Sequence, residues 1–489
     1  MSCGTCYGQK QIRILHADEG TSHPEYQNTH ILSGNVSFEH DSTYMTCDSA
    51  YFFLDSNSFY AFSNVIVTRG DSIKLTGDTV IYRGTERNAD LYGNIVYTDR
   101  KMKMITPKLH YEFTSQIGNY SSGAIITSME DKNTLFSKRG TYHSDQQTMY
   151  FKDSVRLENE EYTMESDTLI YNINTETSQF EGPTTILSAD NTIYCEQGWY
   201  DSKNETSSLS QNASLFTKEQ KLYGDSIHYQ RNIGIGEVFG NVFFVDTTNK
   251  IELTSDFAFH NEFIDSTALV GNAIMSQVFE NDTLFLKSEE INIKRDSTGK
   301  KNNIKAYHSV QIFKSDFQGV CDSLTYSDND SLMKFYESPI LWSEESQITG
   351  DFIQARTSSR GIKKMNIIKN AFIISKIDSI KFDQIKGKNI DAFFDSTQIN
   401  LVEVTGNGQA LYYILNEDSL YLEGNQAKCA NLNIYFKKGE INSIKLLDAP
   451  TAKYQSIEDF SEEERYFAGF KWHEGLRPQR IDFIRERKD

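Results

Sequence analysis

Over most of the chain, apolar and polar residues alternate with a period of two, in runs broken by glycine, asparagine, aspartate or serine. Alternation of this kind puts every second side chain on one face and predicts strands with a single buried face. The runs themselves recur. Gly34-Asn35-Val36-Ser37-Phe38 returns as Ser63-Asn64-Val65-Ile66-Val67, Gly93-Asn94-Ile95-Val96-Tyr97, Gly240-Asn241-Val242-Phe243-Phe244 and Gly271-Asn272-Ala273-Ile274-Met275, with looser copies between and after them. The second residue of each copy serves as a marker: Asn35, Asn64, Asn94, Ala124, Ser154, Pro183, Asn212, Asn241, Asn272, Ser309, Pro339, Asn370, Asn407 and Pro450. The steps between markers are 29, 30, 30, 30, 29, 29, 29, 31, 37, 30, 31, 37 and 43. Eight consecutive near-identical steps identify a repeat.

A second landmark falls about thirteen residues after each marker: Cys47-Asp48-Ser49-Ala50-Tyr51-Phe52, Gly77-Asp78-Thr79-Val80-Ile81-Tyr82, Ser166-Asp167-Thr168-Leu169-Ile170-Tyr171 and Gly224-Asp225-Ser226-Ile227-His228-Tyr229. Counted from the Asp, apolar or small residues stand at −3 and −1 and again at +2 and +4. The phase therefore slips by one residue at the Asp, as at a β-bulge or corner. Each unit reads as two or three strands of five to ten residues: one with the marker, one bent at the Asp, and a return strand such as 58–62, 88–92 or 179–181. A thirty-residue rung cannot bury its own inner face, so the repeat predicts an all-β, elongated, solenoid-like stack. Residues 1–27 read as an N-terminal segment, 28–293 as regular repeats, 294–303 as a polar loop, 304–456 as degenerate repeats and 457–489 as a charged tail. Helical patterning is confined to 458–467.

Composition agrees with strands, at 31 Phe and 27 Tyr against six Pro. The net charge of −19 argues against nucleic acid and against an anionic membrane face. Cys47 and Cys321 stand where small buried residues belong, while Cys3-Gly-Thr-Cys6 has redox spacing without its usual context. No apolar run is long enough for a membrane helix. Residues 1–9 lack the apolar core of a secretory signal, and Cys6-Tyr-Gly-Gln9 fits the tail of one beginning upstream.

Catalytic motifs are missing: no G-x-S-x-G elbow, Walker loop or H-E-x-x-H occurs. The glycines from Gly234 to Gly240 precede a strand, unlike a phosphate loop. Asp328-Asn-Asp330 lacks the rest of a calcium loop. Asp48, Asp78, Asp167 and Asp225, one per rung beside a small residue and a hydroxyl, fit corner capping better than a carboxylate array. No enzyme, cofactor or metal is expected. The inward positions form the candidate site: Val36, Phe38, Val65, Val67, Ile95, Tyr97, Val155, Leu157, Val242 and Phe244, with Phe52, Tyr82, Tyr171 and Tyr229 on the bent strands. The same residues could instead fill a closed core, which would make the chain a structural or adhesive scaffold. A carbohydrate-active β-helix enzyme would need a cluster of acidic and basic residues on adjacent rungs, and none is visible.

Gly-Asn-Val followed by alternating apolar residues, then D-[ST]-apolar-x-Tyr, resembles the OstA-like family of periplasmic lipopolysaccharide-transport proteins, which includes the N-terminal domain of their outer-membrane partner. Residues 28 to about 280 carry the pattern well and 300–456 in weakened form. The closing Phe470-Lys471-Trp472-His473-Glu474-Gly475-Leu476-Arg477-Pro478 is similar to the ending of large OstA-like proteins. The resemblance implies an open, V-shaped β-jellyroll whose apolar groove binds lipid A acyl chains in the periplasm of a Gram-negative cell. It also implies end-to-end strand pairing with other jellyroll proteins or with itself.

Overall fold

The computed structural model describes residues 11–484 apart from 24, 26, 41, 72, 130–132, 280–281, 297–301, 359–360, 396–397, 416–420 and 438–439. Cys3 and Cys6 lie outside the described residues. The chain divides into two compact units, one of residues 1–218 with 226–232 and one of 219–225 with 233–489.

Unit 1 is an antiparallel meander in which each strand pairs with the next: Thr29–His40, Thr43–Phe53, Ser58–Arg69, Ile73–Arg83, Asn88–Thr98, Met102–Glu112 and onward. A repeat therefore holds two strands of eleven or twelve residues, not two or three short ones. The expected return strand 58–62 is the first half of Ser58–Arg69, which runs on through the marker Asn64. Near residue 120 strands break in two, into Ile117–Tyr120 with Ala124–Ser128 and Thr134–Ser137 with Arg139–His143.

The marker is where each long strand bends. Ser33 pairs with Ser49 and Val36 with Cys47, so Gly34 and Asn35 together face the single residue Asp48. The same shift follows at Phe62/Val65, Tyr92/Ile95 and Val270/Ala273. Both marker residues take positive φ in most rungs, 75° and 46° at Gly34-Asn35 and 74° and 45° at Gly93-Asn94, whereas at Gly123-Ala124 and Gly182-Pro183 only the glycine does. Glycine at the first place has a steric cause as well, since a Cβ on Gly93 would lie 2.3 Å from Asp78 Oδ2. Asparagine tolerates left-handed backbone, and here its amide donates to that carboxylate: Asn64 Nδ2 to Asp48 at 2.7 Å, Asn94 to Asp78 at 2.9 Å, Asn241 to Asp225 at 3.0 Å. The Asp is a corner residue. The opposing strand shows the expected phase slip, with Met45 and Cys47, then Ala50 and Phe52, buried. Two markers need correction. The positive-φ pairs are Glu337-Ser338 and Asp448-Ala449, one residue before Pro339 and Pro450, because the proline ring fixes φ near −65°.

Bending the sheet along this line folds it into two leaves with their apolar faces together. In unit 1, Phe38 on one leaf stacks on Phe59 of the other at 5.0 Å, and Tyr82 Oη lies 3.2 Å from His40 Nδ1. The segment expected to precede the repeats belongs to this fold. Arg13–His16 and Glu19–Ser22 both pair with Thr29–His40, and Asp18 accepts from Asn35 at 2.9 Å.

Unit 2 continues the pattern in Ile235–Asp246, Ile251–Asn261 and Ser266–Val278. Thr283–Arg295 and Asn302–Lys314 reach into the stretch read as a polar loop from both sides. Its repeats lengthen where degeneration was expected: Gly361–Lys376 has 16 residues and Phe382–Asp395 has 14. The charged tail also differs from expectation. It holds one helical turn, Glu462–Arg465, and packs against unit 2 through a cluster of Phe372, Ile374, Phe382, Leu411, Phe460 and Phe467.

Candidate functional site

The space between the leaves contains the candidate residues, and register decides how deep each lies. The residue directly after the bulge sits in the fold of the sheet, where no side chain reaches water. Val36, Val65, Ile95, Val155 and Val242 are at most 2% exposed. Two residues further on, towards the free edges of the leaves, Val67, Tyr97, Leu157 and Phe244 are half-buried. Phe38 at that register is covered through its stack on Phe59. On the bent strands the position four past the Asp follows a gradient. Phe52 and Tyr82 are buried, Tyr171 is half-buried, and Tyr229 is 36% exposed.

The fourteen candidates are therefore of two kinds, a floor in the fold and a lining near the mouth. Further lining residues were legible by register yet absent from the candidate set. Ile186 and Leu215 repeat the place of Val67, Tyr111, Tyr142 and Tyr200 repeat that of Tyr171, and Leu75 stands three before Asp78; all are half-buried. The signal was the period itself, obscured where glycine or asparagine is missing from the marker.

The lining is apolar with a few hydroxyls. Tyr97 Oη donates to Asp99 Oδ2 at 2.9 Å, and Tyr142 Oη accepts from Gln147 Nε2 at 3.0 Å. Burial, helped by Asp99, pushes the Tyr97 hydroxyl upward, and burial raises Tyr111 and Tyr142 as well. These phenols are neutral throughout the physiological range, which suits a surface for hydrocarbon. Buried thiols behave alike: burial pushes Cys47 and Cys195 up to about 11 and Cys321 up to about 12, far from a reactive thiolate. Asp328 accepts from Asn302 N at 2.7 Å and so ties the end of its strand to the start of the neighbouring one. Among the described residues no three His, Cys, Asp or Glu side chains converge as metal ligands would.

In unit 2 the later rungs are closed. At the register of Val67 stand Ile312, Leu341, Ile373 and Ala410, none more than 2% exposed. At the register of Tyr171, Tyr326 is still half-buried, and beyond it stand Ala355, Ala392 and Ile434, none more than 1% exposed. Six successive rungs carry a Tyr at that place, from Tyr82, which is buried, to Tyr229, which is 36% exposed. Alanine lets the leaves meet and interlock.

No curated protein matches the chain. Among solved structures, the chain is similar to LptH, described as the LptA-homologous periplasmic component of the lipopolysaccharide transport device from Pseudomonas aeruginosa. Identity is 15% and the TM-score 0.20, over 20% of this chain and 75% of that one. A family model described as OstA-like protein matches residues 9–167, a stretch that holds the first five markers. Over that stretch, the chain is similar to the OstA-like proteins.

Proposed function

We propose that the chain is a lipid carrier, not an enzyme, which holds the acyl chains of lipopolysaccharide or lipid A between the leaves of unit 1 and conveys them across the periplasm towards the outer membrane. The supporting observation is the row of half-buried apolar side chains, Val67, Leu75, Tyr97, Leu157, Ile186 and Leu215, repeated at fixed register. Part of that row lies in the OstA-like stretch. An acyl chain of about fourteen carbons gains roughly 0.8 kcal/mol per CH₂ on leaving water, on the order of 10 kcal/mol in all. An apolar gap therefore suffices, and no catalytic group is needed. Strand edges left unpaired at the end of such a stack fit a partner of the same fold, or a second copy, by strand addition.

The closed rungs of unit 2 favour a second role for that part, as a strut without ligand. The experiment is mass spectrometry of lipids extracted from protein purified from a Gram-negative periplasm, with Val67→Asp alongside. Acylated glycolipid on the parent and its loss from a folded Val67→Asp support carriage. A parent protein that never yields lipid leaves only the scaffold.

A further inference from the structure

Residues 457–484 run back over the outward face of unit 2, against the direction in which the chain built it. Gln426 Nε2 donates to Glu464 O at 3.3 Å. Gln384 Nε2 donates to Arg465 O at 2.7 Å while its Oε1 accepts from Phe467 N at 2.9 Å. Gln347 repeats this geometry one rung earlier, donating to Lys471 O and accepting from His473 N, both at 2.7 Å. Gln318 Oε1 accepts from Arg477 Nε at 2.8 Å, and Lys287 Nζ donates to Asp482 O at 2.9 Å.

The four glutamines stand at one register, each four residues before the corner residue of its rung (Asp322, Asp351, Lys388 and Ala430). The same register in earlier rungs holds exposed Tyr44, Lys74, Lys103, Lys221 and Glu252 and half-buried Thr134, Thr163, Thr192 and Phe285, and no glutamine. Gln318, Gln347 and Gln384 are buried, although Gln is ordinarily a surface residue. Beside them in register, Trp342 is completely buried.

A glutamine amide that gives and takes one hydrogen bond across alternate residues of a peptide reads backbone, not sequence. Selectivity comes from the side chains set between these contacts: Phe460, Phe467 and Phe483 are buried, and Trp472 packs on Phe382 at 5.4 Å. The segment adds no strand to the sheet. The strands beneath it, such as Phe382–Asp395 and Gln398–Leu415, already have partners on both sides, and the interior between the leaves is filled without it.

We propose that this glutamine ladder is a peptide-binding site for an extended segment with aromatic anchors, and that residues 457–484 occupy it as a separable ligand, not as part of the core. The inference does not depend on lipid carriage.

The test uses the full chain with a protease site inserted after Ser456, and a labelled synthetic peptide of residues 457–484 as probe. After cleavage the strand content should persist and the segment should co-elute with the protein, then exchange for the labelled peptide. A composition-matched scrambled peptide should not bind. Gln347→Ala with Gln384→Ala should weaken the labelled peptide at least tenfold at unchanged circular dichroism. In the uncut chain the same pair should speed hydrogen exchange at the Phe467 and His473 amides. Dimers with crossed segments would show the site filled in trans and support the proposal. Loss of the β spectrum on cleavage would overturn it by making the segment core, as would equal binding of the scrambled peptide or no binding at all.

Discussion

Unit 1 and the last rungs of unit 2 are built on the same bulge and the same register, yet side chains that are half-buried in most rungs of one are fully buried in the other. At the place where unit 1 has half-buried Val67, Tyr97 and Leu157, unit 2 has Leu341, Ile373 and Ala410 packed to within 2% of complete burial. Outside, the contrast repeats. Tyr44 and Lys74 meet water, while Gln347 and Gln384 lie under the C-terminal segment. A backbone repeat thus sets the frame, and the side-chain volume at two registers decides whether the frame encloses a gap or a core.

The largest test of this contrast is a carboxylate placed in each interior. Ile390→Asp, at a site without exposure, should cost unit 2 more than about 4 kcal/mol and unfold it, because the charge has no route to water. Val67→Asp should cost less than about 2 kcal/mol, since a half-buried carboxylate can turn outward. Val242→Asp should resemble Ile390→Asp, because Val242 is floor and not lining. Equal losses at Val67 and Ile390 in urea titrations would remove the distinction between gap and core.

Within unit 1, Phe38→Ala should cost about 3–4 kcal/mol by emptying the stack on Phe59. Tyr171→Ala, at the half-open lip, should cost about half of that or less. The ratio of the two losses measures how the gap widens along the repeat.

Acidity separates the units next. Burial pushes the Asp383 carboxyl of unit 2 up to about 7, only partly opposed by the bond from Tyr413 N at 3.0 Å. The folded state then holds a proton that the unfolded chain has released above about pH 4. Stability of unit 2 should therefore fall as pH rises from about 4 to about 7 and level off beyond, and Asp383→Asn should abolish the fall. Asp90 of unit 1 goes the other way. Burial raises it, but hydrogen bonds from His110 and Arg83 overcome this and lower it on balance. Its contribution should persist above about pH 4 and vanish in more acid solution. Thermal melts across pH 4–8, read by peptides from each unit, would check both directions.

The smallest effect lies at the corner both units share. Asn94→Ala should cost about 1 kcal/mol, losing the bond to Asp78 and the amide side chain that tolerates φ 45° better than a methyl group does. Asn94→Gly should cost less than half as much, because only the bond is lost. A larger loss for Gly than for Ala would mean that the backbone angle is not what the asparagine provides.

Much of this was legible before any coordinates. The thirty-residue period and the phase slip at Asp48 and Asp78 located the corners, although the two bulged residues lie at the marker and not at the Asp. The strand lengths were misjudged, since glycine and asparagine at the marker look like chain breaks. In a bulge those residues continue the strand with two left-handed backbones. The markers at Pro339 and Pro450 slipped by one because apolar alternation resumes at the proline, while the positive φ falls before it. The lining set was incomplete for a related reason: Ile186 follows Gly182-Pro183, a marker without asparagine.

What the sequence determined alone was everything set by local chemistry and repeated in each rung: strand, bulge, corner and inward face. A period-two pattern and a left-handed pair are properties of neighbouring residues, so they can be read along the chain. What only the tertiary structure decided was the distance between the leaves and the resting place of residues 457–484. The first depends on side chains some fifteen residues apart meeting across the fold. The second depends on four glutamines from four rungs falling into line, 29 to 42 residues apart in sequence, so that only the stacked sheet brings them together.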